Sequence, residues 1–171
     1  MVPKGKIALF VEEMYNEHEF WYPYYRMIEA GYEVVVVGTG RQEVFASKLG
    51  MPVKPDVTAD KVRTEELAAV IIPGGFAPDK MRINPDMLRI VKEALAAGKV
   101  VAAICHAGWV LVSAGVLKGR KATGCIMIKD DLVNAGAEYL DQEVVVDGNL
   151  ITSRLPADLP AFCREILKKL G

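Results

Sequence analysis

The sequence predicts an open α/β fold, a mostly parallel sheet with helices packed on both faces. Short, continuous apolar runs rich in Val and Ile suit strands buried on both faces. Amphipathic stretches at helical period separate those runs, and such alternation marks βαβ units. The chain has 171 residues, and a chain of about 150 residues buries roughly 70% of its unfolded surface. No linker, internal repeat or low-complexity tract interrupts the alternation, so residues 1–171 are expected to form one domain.

The elements follow in order. "KIALFV" (Lys6–Val11) reads as the first strand, and "EFWYPYYRMIEAG" as a helix with Gly31 at its C-cap. "EVVVVG" (Glu33–Gly38) and "AAVIIPGG" (Ala68–Gly75) are the next two strand-like runs. "NPDMLRIVKEALAAGK" is a helix capped by Asn84, with Pro85 in its first turn and Gly98 at its end. "VVAAIC" (Val100–Cys105) is a strand leading into a helix over His106–Ala114. In "EVVVDGNLITS", Asp147-Gly148-Asn149 between apolar runs predicts a tight turn joining antiparallel strands. "LPAFCREILKKLG" is a closing amphipathic helix.

Composition excludes several function classes. A formal charge of −1 supplies no basic stripe for a phosphate backbone, so no nucleic-acid partner is expected. The apolar runs are strand-length, far short of the roughly 20 residues of a membrane span. "MVPKGKIALFVEE" turns acidic after five apolar residues and lacks a signal peptide's pattern, which predicts a cytoplasmic protein. Cys105, Cys125 and Cys163 form an odd set without CxxC spacing and read as thiols. Cys105 and His106 are adjacent and no second pair stands at ligand spacing, so no metal site and no cofactor are expected. "GTGRQE" has Glu43 where a dinucleotide fingerprint has its third glycine, and it follows the second strand instead of the first.

In open α/β sheets ligands bind beyond the carboxyl ends of the strands. Two runs end there in a pointed way: "PGG" after Val70–Ile72 and "CHAG" after Val100–Ile104. A thiol on the turn between a strand and a helix would meet free N–H groups and the helix dipole, which lower its pKa. Glycines in Pro73-Gly74-Gly75 would let a second backbone N–H approach beside that of His106, forming an oxyanion-binding pair. A lone cysteine after an apolar strand is ordinarily a small core residue; the adjacent histidine and the Pro-Gly-Gly turn argue for function. Neighbouring residues on a helix do not face each other. A direct Cys105–His106 hydrogen bond therefore needs a bent turn, or else a carboxylate orients His106; the residues leave both open.

"AAVIIPGGFAPDKMR", "VVAAICHAGWVLVSAGVLKGRKATG", "IKDDLVNAGAE" and "DQEVVVDGNLITSRLPADLPAF" together resemble the ThiJ/PfpI superfamily. The likeness is to its PfpI-type branch of intracellular cysteine proteases and protein deglycases, and it runs from about Lys6 to the C-terminus. The resemblance implies a flavodoxin-like three-layer sandwich with Cys105 as nucleophile and His106 beside it. It further implies Glu19, in "NEHEF", approaching the sulfur. Asp79, in "FAPDK", would reach the histidine of a neighbouring subunit in a dimer or hexamer. The N–H groups of Gly75 and His106, with Gly74 in the same turn, would bind the oxyanion. A carboxyl at Glu19 held near the sulfur in a dry site would have a raised pKa and could move a proton. The bland alternatives are an exposed helix-start glutamate for Glu19 and a helix cap for Asp79.

The chain departs from the family pattern in places. Cys125 stands where an aromatic residue is common, and is either an inert buried thiol or a partner for an oxidised Cys105. The helix start reads His-Ala-Gly-Trp instead of His-Gly-Pro, with Trp109 expected to pack between helices. His18 is an entrance or surface residue, and Cys163 a core one. Three functions fit. One is a cysteine hydrolase of small peptides or unfolded protein. Another is a deglycase or glutathione-independent glyoxalase acting on methylglyoxal and its adducts. The third is a redox-sensing, chaperone-like stress-response protein.

Overall fold

The apolar runs become the middle of one seven-stranded sheet in a computed structural model that describes residues 2–171. Its strands are β1 (Lys6–Val11), β2 (Glu33–Gly38), β5 (Val57–Thr58), β6 (Leu67–Ile72), β7 (Val100–Ile104), β10 (Val144–Asp147) and β11 (Leu150–Ser153), in spatial order β10-β11-β7-β6-β1-β2-β5. All neighbours run parallel except β10, which pairs antiparallel with β11 at one edge. Val101, Ala102 and Ile104 in β7 and Ile7 to Val11 in β1 are fully buried, which accounts for continuous apolar runs in place of an alternating pattern.

Helices cover both faces. On one, α1 (Glu17–Glu29) lies beside α6 (Leu159–Leu170). On the other, α3 (Pro85–Ala96) packs against α4 (Gly108–Ala114), with the short α2 (Ala77–Met81) and α5 (Lys129–Asn134) against α4. The Asn84 side chain accepts from the N–H groups of Asp86 and Met87, both at 3.0 Å, as a helix cap should. Gly148 turns the terminal hairpin with φ +63.

Some boundaries move. The run that read as a strand to Gly75 ends at Ile72, because Pro73-Gly74-Gly75 leaves the ladder to cross the sheet end. The helix expected from His106 begins as a 3-10 turn, Cys105–Ala107, with α-helix only from Gly108. Four two-residue strands went unpredicted beside β5: β3 (Phe45–Ala46) with β4 (Pro52–Val53), and β8 (Lys121–Ala122) with β9 (Glu138–Tyr139). Two residues carry no periodicity to read.

The chain passes from β1 outward to β2, then returns to the other side of β1 with β6 and β7. The connections thus diverge at the β1/β6 boundary, leaving a crevice beyond their carboxyl ends. Glu19 enters it from the β1 side, Pro73-Gly74-Gly75 from β6, and Cys105 from β7.

Candidate active site

Cys105 is held in left-handed backbone geometry, φ +61; among the described residues only Met14 is another non-glycine with positive φ. For such residues this region is strained by about 1–3 kcal/mol each. The bend brings the Cys105 Sγ to 3.3 Å from Nδ1 of His106. Of the two arrangements left open by the sequence, the bent turn with a direct contact is the one present.

The Pro-Gly-Gly loop is knitted to the β1–α1 loop. Asn16 N–H donates to Gly74 C=O at 3.2 Å and Phe76 N–H to Met14 C=O at 2.9 Å. A Cβ on Gly74 would stand 2.6 Å from Glu19 Oε2 and 2.8 Å from Cys105 Cβ. Gly75 has φ +83, and a Cβ there would stand 2.5 Å from the Met14 carbonyl. The backbone N–H groups of His106 and Gly75 favour negative charge on the Cys105 sulfur, as donors to an oxyanion would. The Gly74 N–H is committed elsewhere: it donates to Glu19 Oε2 at 2.7 Å. Gly74 thus holds Glu19, and of the two expected glycines its N–H is already engaged.

Glu19 sits in the first turn of α1, whose cap Asn16 accepts from the N–H groups of His18 and Glu19. Its side chain is fully buried, against the exposed helix-start alternative. Oε1 has no hydrogen-bond partner. Burial pushes the carboxyl up to about 7, offset in part by the Gly74 N–H, the Cys105 thiol and the Lys48 charge. The thiol is also raised, by burial first, then by the negative charge of Glu19 and by Cys125; the His106 and Gly75 N–H groups pull it down. This corrects the expectation of a dipole-lowered thiol, since the turn is 3-10 and burial outweighs its donors. Glu19 is the nearest charge opposing a thiolate, so a protonated Glu19 favours ionised sulfur. Burial and then Lys48 lower His106, leaving a neutral imidazole at neutral pH, ready to accept a proton.

These groups open onto a cavity of about 530 Å³, lined also by Asn16, Lys48, Tyr139 and Arg154, none of which the sequence argument singled out. Asn16 was findable, because Asn followed three residues later by Glu is a helix-start signature. Arg154 is clamped by Asp158 at 2.9 Å and Asp141 at 2.8 Å. Cys125 lines the same cavity, and its N–H donates to the Cys105 carbonyl at 3.3 Å. Cys105, His106 and Cys125 offer donor atoms all within 4.8 Å. Sequence spacing gives no sign of this convergence, which runs against the expectation of no ligand set, although a closed structural zinc site would need a fourth protein ligand.

Asp79 lies in α2 with its side chain exposed, and among the described residues no hydrogen bond or ion pair joins it to His106. His18 is exposed outside the cavity, a surface residue. Cys163 is buried in α6. Trp109 packs against the core, and it also meets the His106 ring edge-on at 5.2 Å between centroids and donates to Asp131 at 2.8 Å. Its role in buttressing the histidine exceeds the expected helix packing.

A cysteine on a strained strand-to-helix turn, with a contacting histidine and a buried glutamate at the sheet's crevice, defines a class of cysteine-dependent α/β enzymes. The chain belongs to the DJ-1/PfpI family, whose profile matches residues 5–169. It is 45% identical to "Deglycase PfpI" of Pyrococcus furiosus over 96% of this chain and 99% of that protein. It is 41% identical to "Putative cysteine protease YraA" of Bacillus subtilis over 96% of this chain and 98% of that one. Among solved structures, a two-domain protein of Anabaena variabilis with DJ-1/ThiJ/PfpI-like and ferritin-like domains superposes with a TM-score of 0.95 at 47% identity. That match covers 98% of this chain and 48% of the two-domain chain. Among the described residues, no helix is long and apolar enough to cross a membrane.

Proposed function

We propose that this chain is a cysteine-dependent hydrolase of deglycase type, acting on methylglyoxal and its early adducts with protein amines and thiols. The observation that carries this reading is Glu19: fully buried, beside the Cys105 thiol, and raised to about 7, it can both give and take a proton near neutral pH. Cys105 sulfur, its proton passed to His106, bonds to the aldehyde carbon as the bond to the modified amine or thiol breaks, and that group leaves with the proton from His106. Gly75 and His106 N–H groups hold the oxygen as charge develops on it. Glu19 carries a proton from that carbon to the neighbouring carbonyl carbon while the hydroxyl proton passes to the neighbouring oxygen, which converts the adduct to a lactoyl thioester. Water then cleaves the thioester to lactate and free thiol, so that methylglyoxal plus water equals lactic acid in the balance.

Peptide hydrolysis is the second reading, favoured by the same oxyanion donors and by the relative named as a protease. Asp79, exposed on its own subunit, would orient His106 of a neighbouring copy, making self-association a condition of full activity. Three free thiols suit a reducing, cytoplasmic setting. Wild type and Cys105→Ser, assayed on a methylglyoxal–thiol adduct and on a fluorogenic peptide, separate the readings. Adduct turnover lost with Cys105→Ser, and peptide turnover slow in both, is the expected result. Adduct turnover that survives Cys105→Ser would refute the mechanism.

A further inference from the structure

Cys125 has no part in the chemistry above, yet the fold brings its sulfur to the nucleophile. The Cys125 and Cys105 Sγ atoms and a ring nitrogen of His106 lie within 4.8 Å of one another. The N–H of Cys125 donates to the carbonyl of Cys105 at 3.3 Å, so the two backbones are fastened directly to each other. Both thiols are free, and both line the cavity. Cys125 is only 8% exposed, so its approach is to Cys105 from within that cavity and not to bulk solvent. Gly124 precedes it, and the following Ile126 and Met127 are 62% and 71% exposed. As the sulfurs close to bonding distance, about 2.05 Å, Cys125 Sγ gives up its contact with Met127 Sδ at 3.2 Å.

We propose that Cys105 and Cys125 form a redox pair that gives this protein a second activity, hydroperoxide reduction ending in an intramolecular disulfide. The proposal rests on the reading of Cys105 as a reactive, reachable thiol. Its sulfur, having passed its proton to His106, attacks the terminal oxygen of a hydroperoxide. The O–O bond breaks, the alcohol or water departs with the proton from His106, and Cys105 is left as a sulfenic acid. Cys125 sulfur then attacks Cys105 sulfur, giving its own proton to His106. The S–O bond breaks, the departing hydroxide takes that proton to become water, and an S–S bond forms. Two thiols supply the two electrons that reduce one hydroperoxide. A thiol reductant restores both by exchange. The consequence is protective, because a sulfenic acid captured as a disulfide is not carried on to the irreversible sulfinic acid.

The full chain is treated with hydrogen peroxide at increasing ratios, alkylated, digested and mapped by mass spectrometry. Wild type is expected to yield a peptide linked through Cys105 and Cys125 that dithiothreitol releases. Cys125→Ser and Cys125→Ala are each expected to accumulate sulfinic acid at Cys105, severalfold above wild type at equal peroxide. Cys163, buried in the core, should stay alkylatable after denaturation in every sample. Sulfinic Cys105 in wild type with Cys125 still free would overturn the pair, while leaving the hydrolase reading intact if Cys105→Ser still abolishes adduct turnover. A Cys105 that resists both peroxide and iodoacetamide in the native protein would overturn both.

Discussion

Replacing Glu19 with glutamine turns the buried carboxyl into a stability measurement. In the unfolded chain the carboxyl titrates near its ordinary 4.5, and in the folded protein near about 7. Between those values the unfolded state has released its proton and the folded state has not, so wild-type stability falls as pH rises through this window. At about 1.4 kcal/mol per pH unit the gap is worth about 3 kcal/mol, present below pH 4.5 and lost above about 7. Glutamine is nearly isosteric, its carbonyl oxygen can still accept from the Gly74 N–H, and it carries no charge to desolvate. Glu19→Gln should therefore match wild type within error at pH 4.5 and exceed it by about 3 kcal/mol at pH 8.5. For a chain of this length that difference moves the midpoint of thermal unfolding by roughly 6–12 °C. Urea denaturation of both proteins at four pH values reads it directly, and catalysis should fall in the same variant. A difference that stays flat with pH, or one that favours wild type at high pH, would refute the assignment of a desolvated Glu19.

Other substitutions probe the remaining parts. Gly75→Ala sets a Cβ against the Met14 carbonyl and the Asn16 nitrogen at φ +83. It should destabilise by about 1–3 kcal/mol and misplace the donor N–H, so a thermal midpoint equal to wild type would show that the loop yields freely. His106→Gln removes the proton acceptor at 3.3 Å from the sulfur and should lower kcat by about 10²–10⁴-fold with little change in the folded state. Retention of most activity would assign the base elsewhere. Asp79→Asn should reduce kcat without altering the mass measured by light scattering; unchanged activity would remove the carboxylate from the proposed interface.

Legibility in the sequence followed the range over which each feature is determined. The long buried strands, the Asn84 cap with Pro85, and the glycines at Gly31 and Gly98 are local, and each sits where its residue type dictates. Cys105 at the strand end was equally visible, because a run of five buried apolar residues stops there. What lay hidden was set across the fold. The ionisation of the thiol depends on burial and on Glu19, which reaches it from the first helix, so a helix-dipole argument taken from neighbouring residues had the wrong sign. Cys125 meets Cys105 through a backbone hydrogen bond between segments that no spacing rule connects.

The backbone of Cys105 joins these two kinds of information. Left-handed geometry ordinarily falls to glycine, and ten glycines among the described residues adopt it. Cysteine at φ +61 is a local rule broken, and the surroundings have to sustain it. They do so through contacts that an ordinary turn would lack. Gly74 leaves space for the Cys105 Cβ, the His106 ring lies against the sulfur, Trp109 backs that ring, and Cys125 fastens the carbonyl. Strain concentrated on one residue, supported from four directions, is what a site looks like when reactivity and not stability determines the backbone. A glycine at this position would relieve the strain and remove the thiol together.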